Sequence, residues 1–210
     1  MSRVGVLALQ GGVPRHIASL EALGVDAVRV TEPRDLEDLA ALLLPGGEST
    51  TMLTLIEAGG LRGSLAKFLR ERPALGTCAG VILLGKGGEG LPAPSFGVLD
   101  VEVERNAYGR QIDSFSADVS SQVLGGSFPG VFIRAPRLRN PGKGVEVIAT
   151  LERPGEAKEP VAVRQGRTVG LCFHPELTSD LRFHRWFLEE VAGLRLPSET
   201  VAAGERQGRP

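Results

Sequence analysis

Cysteine and histidine are scarce in this chain, with two and three copies among 210 residues. Each scarcity excludes something. Cys78 and Cys172 are too few for a disulfide framework, and they form no C-x-x-C metal pattern. A reducing compartment with both thiols free, the cytoplasm, is the expectation. Net charge is also nearly absent: a balance of −1 leaves no basic footprint for nucleic acid or a membrane surface. No apolar run approaches the length that spans a bilayer. The residues after Met1 read as a strand, not as a charged segment followed by an apolar signal core. No internal repeat is present. With 42% hydrophobic residues, the length suits one globular domain with a full core. We place it at residues 1–195, followed by a polar tail at 196–210 expected to be disordered.

Glycine, by contrast, is abundant. There are 28 copies, nearly twice the usual share of about 7%. Residues 75–84 read L-G-T-C-A-G-V-I-L-L, with glycines two positions before and two after Cys78. That composition gives both flanks as glycine by chance only about 2% of the time. G-x-C-x-G is the cysteine form of the nucleophile elbow, in which small residues let a strand turn sharply into a helix. A cysteine at the apex is exposed at a helix N-terminus, where the macrodipole favours the reactive thiolate form. An inert core thiol is the competing reading, since cysteine is among the most buried residue types.

Around the elbow the chain alternates strand and helix. Residues 4–9 read as a buried strand ended by Gln10-Gly11-Gly12. Pro14 suits the first turn of a helix carrying Ile17, Leu20 and Leu23, with Gly24 as its stop. Strands follow at 25–30, 42–44 and 74–77. Helices lie between them, one capped by Ser49 or Thr50 and ended by Gly59-Gly60, the next running to Arg72. Continuously apolar strands separated by helices predict a parallel sheet covered on both faces. After a Gly/Pro-rich loop at 86–97, strand-like segments at 98–104, 115–123, 131–134 and 145–151 follow with few helices. Residues 161–164 and 168–173 flank a hairpin at Gln165-Gly166-Arg167. The second half is therefore expected to add antiparallel strands. Ser179 or Asp180 would cap a last helix through Val191, stopped by Gly193.

A thiol nucleophile needs a base. In Phe173-His174-Pro175-Glu176, proline holds His174 extended at a strand end, and positions two apart on an extended chain point the same way. His174 and Glu176 can thus form a base and its orienter. His16 and His184 lie in helical patterns; for His184 a surface or packing role is expected. Cys172 reads as a core thiol, and a zinc site of Cys78, Cys172 and His174 matches no usual spacing. Backbone N–H groups for an oxyanion are available at Gly46-Gly47 and, through Ala79, at the elbow. Gly46-Gly47 equally suits an ordinary strand-to-helix turn. A phosphate loop there would need the Lys-Ser/Thr of a Walker motif, which is missing. These residues support a cysteine-dependent acyl-transfer enzyme on an α/β sheet, with the acyl group unnamed.

The set L-A-L-Q-G, L-P-G-G-E-S-T-T, G-T-C-A-G, V-E-R-N-A-Y-G-R-Q-I-D-S-F, F-I-R-A-P and F-H-P-E-L resembles the glutaminase subunits of pyridoxal 5′-phosphate synthase, within the class I (triad) glutamine amidotransferases. The resemblance runs from Val4 to about Gly193. It implies a flavodoxin-like three-layer α/β fold with a mixed, mostly parallel central sheet and added antiparallel strands. It further implies a Cys78–His174–Glu176 triad that hydrolyses L-glutamine through a γ-glutamyl thioester, with no cofactor and no metal. Gly47, Glu48 and Ser49 match the family's glutamine-binding loop, and Arg105, Ile133 and Arg134 its remaining substrate contacts. Gly47 and Ala79 match the oxyanion hole. Gln10 matches a residue near the oxyanion loop at the interface with the partner, a (β/α)₈-barrel synthase subunit that receives the ammonia. Docking of that partner would activate the enzyme by reorienting the Gly46–Gly47 peptide. Residues 91–95 and the tail follow no motif of the family. The rival from another class is a non-catalytic protein on the same sheet with an oxidation-sensing cysteine, which would have no use for an oriented base.

Overall fold

The computed structural model describes residues 2–87, 90–105, 114–153, 155 and 157–197. In the first half, strands β1 (Arg3–Leu7), β2 (Asp26–Val30), β3 (Leu39–Leu44) and β4 (Ala74–Thr77) alternate with helices α1 (Val13–Ala22), α2 (Ser49–Ala58), α3 (Arg62–Glu71) and α4 (Ala79–Leu84). The second half contributes β5 (Glu102–Glu104), β6 (Ser114–Ser121), β7 (Gly126–Ile133), β8 (Arg137–Arg139), β9 (Glu146–Leu151), β10 (Glu159–Gln165) and β11 (Thr168–Leu171). A short helix, α5 (Arg182–Trp186), follows and widens into a π turn at Phe187–Val191.

Nine strands form one sheet in the order β2-β1-β3-β4-β11-β10-β9-β6-β7. The strands from β2 to β11 are parallel, and from β11 to β7 each neighbour is antiparallel. Apolar strands such as β3, Leu-Ala-Ala-Leu-Leu-Leu, lie in the parallel part, where helices cover both faces. β5 and β8 pair separately. In the second half the core is aromatic: Phe128, Phe132, Phe173, Phe183 and Phe187 are all fully buried. Phe183 meets Phe128 and Phe173 edge-on, with centroids 4.8 and 5.4 Å apart.

Three local expectations need correction. Neither Ser49 nor Thr50 caps α2: Glu48 is the N-cap, and Ser49 is the first helical residue, buried. The turn is fixed from outside the helix, because Gln10 Oε1 accepts the Glu48 N–H at 2.7 Å. β7 begins five residues earlier than residues 131–134 suggest. Gly126, Pro129 and Gly130 read as breakers, but β7 is the sheet's edge, where a proline costs no ladder bond. Leu181, neither Ser179 nor Asp180, is the N-cap of the last helix, which starts at Arg182, although the Asp180 carboxylate accepts the Arg182 N–H at 3.0 Å. Gly193 (φ +68°) lies just beyond its end. The subfamily stretch at 106–113 and the tail at 198–210 lie outside the described residues.

Candidate active site

In a doubly wound sheet, ligands bind beyond the carboxyl ends of the strands, where the chain reverses its direction across the sheet. Here that switch lies between β1 and β3. A cleft of about 390 Å³ opens there, lined by residues that follow β1, β3, β4 and β11, together with Arg105, Ile133 and Arg134.

Cys78 stands between β4 and α4 with φ +48° and ψ −104°, a conformation rare for any residue with a side chain. Its N–H bonds the Leu171 carbonyl at 2.8 Å. The two flanking glycines have separate reasons. A Cβ on Gly76 would lie 2.6 Å from the Gly80 backbone, and one on Gly80 would strike the Leu44 carbonyl oxygen. Strand, helix and the neighbouring β3 therefore meet at hydrogen-sized side chains, and only this close packing leaves the thiol at the apex. Cys78 is 7% exposed, and its sulfur lies 3.7 Å from the Ile133 carbonyl oxygen.

His174 follows β11, and its N–H bonds the Val131 carbonyl of β7 at 2.8 Å. Nδ1–H donates to Glu176 Oε1 at 2.7 Å, as the two-residue spacing predicts. The route differs from a simple extended chain: Glu176 reaches back from a 3-10 turn at Pro175–Leu177. Burial opposes charge on His174, but the neighbouring Cys78 and the Glu176 carboxylate outweigh it and lift its pKa to about 10. Burial likewise opposes ionisation of Glu176, yet His16 and His174 hold its carboxyl below the ordinary range. His174 Nε2 is buried and makes no hydrogen bond among the described residues.

The loop after β3 is clamped by the loop after β1. Gly12 N–H donates to the Gly46 carbonyl at 2.9 Å. A trans peptide turns the Gly47 N–H to the opposite side, away from Gly12. Gly46 itself backs onto His174 and Cys78, since a Cβ there would run into the His174 ring and lie 3.2 Å from Cys78 Cβ. At the mouth, Arg134 pairs with Glu48 at 3.2 Å, and Arg105 donates to the Thr50 hydroxyl at 3.2 Å. Arg134 also holds a positive φ of +43°.

Gln10, Gly47, Glu48, Ser49, Cys78, Arg105, Ile133, Arg134, His174 and Glu176 thus border one cleft, and Ala79 follows Cys78 as the first residue of α4. Cys172 is fully buried and its thiol is pushed well above the usual range by burial, as befits a core thiol. Among the described residues no group of three or more His, Cys, Asp or Glu is placed to hold a metal ion. No helix among them is long and apolar enough to cross a membrane. Sequence reasoning missed Ile82 and Leu177 in the lining and the placement of His16 and His184 behind Glu176. His16 gave one signal: its spacing to Val13, Leu20 and Leu23 puts it on the buried stripe of α1.

Residues 6–193 match the SNO glutamine amidotransferase family. The chain belongs to that family. It is 46% identical over 187 residues to the pyridoxal 5′-phosphate synthase subunit PdxT of Oenococcus oeni, covering 89% of this chain and 95% of the relative. To the PdxT of Pelotomaculum thermopropionicum it is 50% identical over 190 residues, covering 90% and 94%. A crystal structure described as a glutamine amidotransferase superposes with a TM-score of 0.83 at 49% identity, covering 91% of this chain and 99% of that one. As a family member this glutamine amidotransferase carries the flavodoxin-like class I architecture, with its sheet extended by the antiparallel strands.

Proposed function

We propose that this chain hydrolyses L-glutamine to L-glutamate and ammonia, and passes the ammonia to a synthase subunit that makes pyridoxal 5′-phosphate. The observation that carries the reading is the His174–Glu176 bond of 2.7 Å beside a cysteine on a glycine-flanked elbow. The sulfur of Cys78, its proton held by His174, attacks the side-chain carbonyl carbon of glutamine. Charge on the oxygen is met by the N–H groups of Gly47 and Ala79. His174, which holds a proton at rest, gives it to the leaving amine as the C–N bond breaks, leaving a γ-glutamyl thioester. His174 then takes a proton from water, which attacks the thioester and frees glutamate and Cys78. Glu176 holds the imidazole in the right tautomer throughout.

Recognition uses opposite charges at the cleft mouth. Glu48 suits the α-ammonium of the substrate, while Arg105 and Arg134 suit its α-carboxylate. Ser49 and Ile133 complete the contacts. The 3.2 Å pairing of Glu48 with Arg134 keeps both charges in place before substrate arrives. Gln10, bonded to the Glu48 N–H, lies where a docked synthase subunit, a (β/α)₈ barrel, reaches the oxyanion loop. A partner that reorients the Gly46–Gly47 peptide would break the Gly12–Gly46 bond, worth about 1 kcal/mol. Such a step is accessible to docking, and the cytoplasm is the expected location. A redox sensor on this fold would not require the oriented base.

Acid-quenched intact mass spectrometry during turnover tests the chemistry. A γ-glutamyl adduct is expected on Cys78, and Cys78→Ala should carry none and release no glutamate while melting like the wild type. Glutamate release by Cys78→Ala would overturn the assignment.

A further inference from the structure

The triad is the outer part of a longer buried polar chain. His16 on α1 and His184 on α5 are both fully buried, and the reaction as derived uses neither. His16 Nε2 lies 3.4 Å from Glu176 Oε2 and 3.2 Å from the Thr77 hydroxyl of β4. His16 Nδ1 lies 3.1 Å from His184 Nε2. His184 Nδ1 has no hydrogen-bond partner among the described residues. Burial holds both histidines below their ordinary pKa, so both are neutral.

Neutrality leaves two ways to place the protons, and they are not equivalent. In the first, His184 Nε2–H donates to His16 Nδ1, and His16 Nε2–H faces the Glu176 carboxylate and Thr77. The unpartnered His184 Nδ1 is then a bare acceptor. In the second, His16 Nδ1–H donates to His184 Nε2. A lone pair of His16 then faces the carboxylate, and His184 Nδ1–H becomes a buried donor with no acceptor. Orphaned buried donors are rarer than under-used acceptors, and facing lone pairs repel. The first arrangement prevails. It directs donors in one sense, from His184 to His16 and on to the Thr77 hydroxyl, with the His16 N–H 3.4 Å from Glu176 Oε2, while the other carboxylate oxygen accepts from His174.

We propose that His16, held in its tautomer by His184, is a positioning residue that fixes the Glu176 carboxylate and thereby the orientation of His174. The proposal rests on the glutaminase reading. His174 holds one oxygen of Glu176 through a hydrogen bond, and the other, buried and without a hydrogen-bond partner among the described residues, has the His16 ring 3.4 Å away, so the carboxylate is hemmed in from both sides. α1 starts directly after the Gln10–Gly12 segment that clamps the oxyanion loop. One short stretch of chain therefore registers the base side of the cleft against the oxyanion side.

His16→Leu, His16→Gln and His184→Leu test this in the full chain. Glutamate release is measured with the synthase subunit present, alongside thermal melts. The pH profile of Cys78 alkylation by iodoacetamide is measured on the chain alone, where Cys172 is buried. His16→Leu should lower kcat by about 10- to 100-fold with KM changed less than about twofold, and should shift the alkylation profile. His16→Gln returns an N–H near the position of Nε2 and should recover most of kcat. His184→Leu should show a smaller loss in the same direction, and it serves as the test if His16→Leu does not fold. Wild-type kcat and alkylation profile in the leucine variants would overturn the proposal. So would equal losses in His16→Leu and His16→Gln that merely track the folded fraction. If the wild type releases no glutamate, the glutaminase reading fails; the alkylation profile then decides the positioning role, a shift supporting it and none overturning it.

Discussion

Cys78 holds a backbone conformation that costs a non-glycine residue about 1–3 kcal/mol, and its neighbours sustain it. Gly46 shows how tightly. A methyl group there would occupy the place of the His174 ring, forcing the imidazole off Glu176. Gly46→Ala should therefore fold yet lose glutamate release by about 10²- to 10⁴-fold, the range for losing a general acid–base group. Steady-state rates and a melting curve on one preparation check this. The buried histidines make a second prediction, in stability against pH. His16 and His184 are neutral when folded but titrate near 6.5 when unfolded. Their contribution is present above that value and lost as pH falls, for His184 until about 3. Each proton is worth about 1.4 kcal/mol per pH unit. Denaturant titrations should show stability falling below neutral pH, and His184→Gln should reduce that slope by one proton. His174 acts with the opposite sign: its contribution is complete below about 6.5 and lost as pH rises through about 10.

Elements in the first half were legible because their signals are local. Pro14, Gly24 and Gly59-Gly60 punctuate helices, and four apolar runs gave four strands. The elbow was legible for the same reason, since both glycines act within two residues of Cys78. What stayed hidden depends on contacts distant in sequence. β8 is three residues long and exists through pairing with β5, and β7 runs through Pro129 because it is an edge. His16 was legible only as part of a helix, and not as a neighbour of Glu176, 160 positions away. At this scale the critical seam is α4 on β3. Gly80→Ala would drive a methyl into the Leu44 carbonyl, a backbone atom that cannot swing away. A loss of about 1–3 kcal/mol is expected from chemical unfolding, with activity falling further because the elbow must shift.

At the scale of the whole molecule, the nine-stranded sheet has two halves of different work. The parallel half sets Cys78, His174 and the Gly46–Gly47 loop at one end. The antiparallel half brings β7 back over β11, so that Val131 pins His174 and Ile133 faces Cys78. Leu196 packs on the core and Pro197 lies against Gly24. We propose that the folded unit ends there, so removing residues 198–210 should leave melting temperature and glutamate release unchanged. Exposed Ile133 and Leu177 flank the cleft beside Gln10 and suit a surface that a partner covers. The central claim is that this cleft hydrolyses glutamine for a docked synthase. Glutamate release by the purified chain, measured with and without the synthase subunit, tests it most directly. Release that rises on adding the partner and disappears in Cys78→Ala is the predicted result. No release in either condition, from folded chain and competent partner, would contradict it.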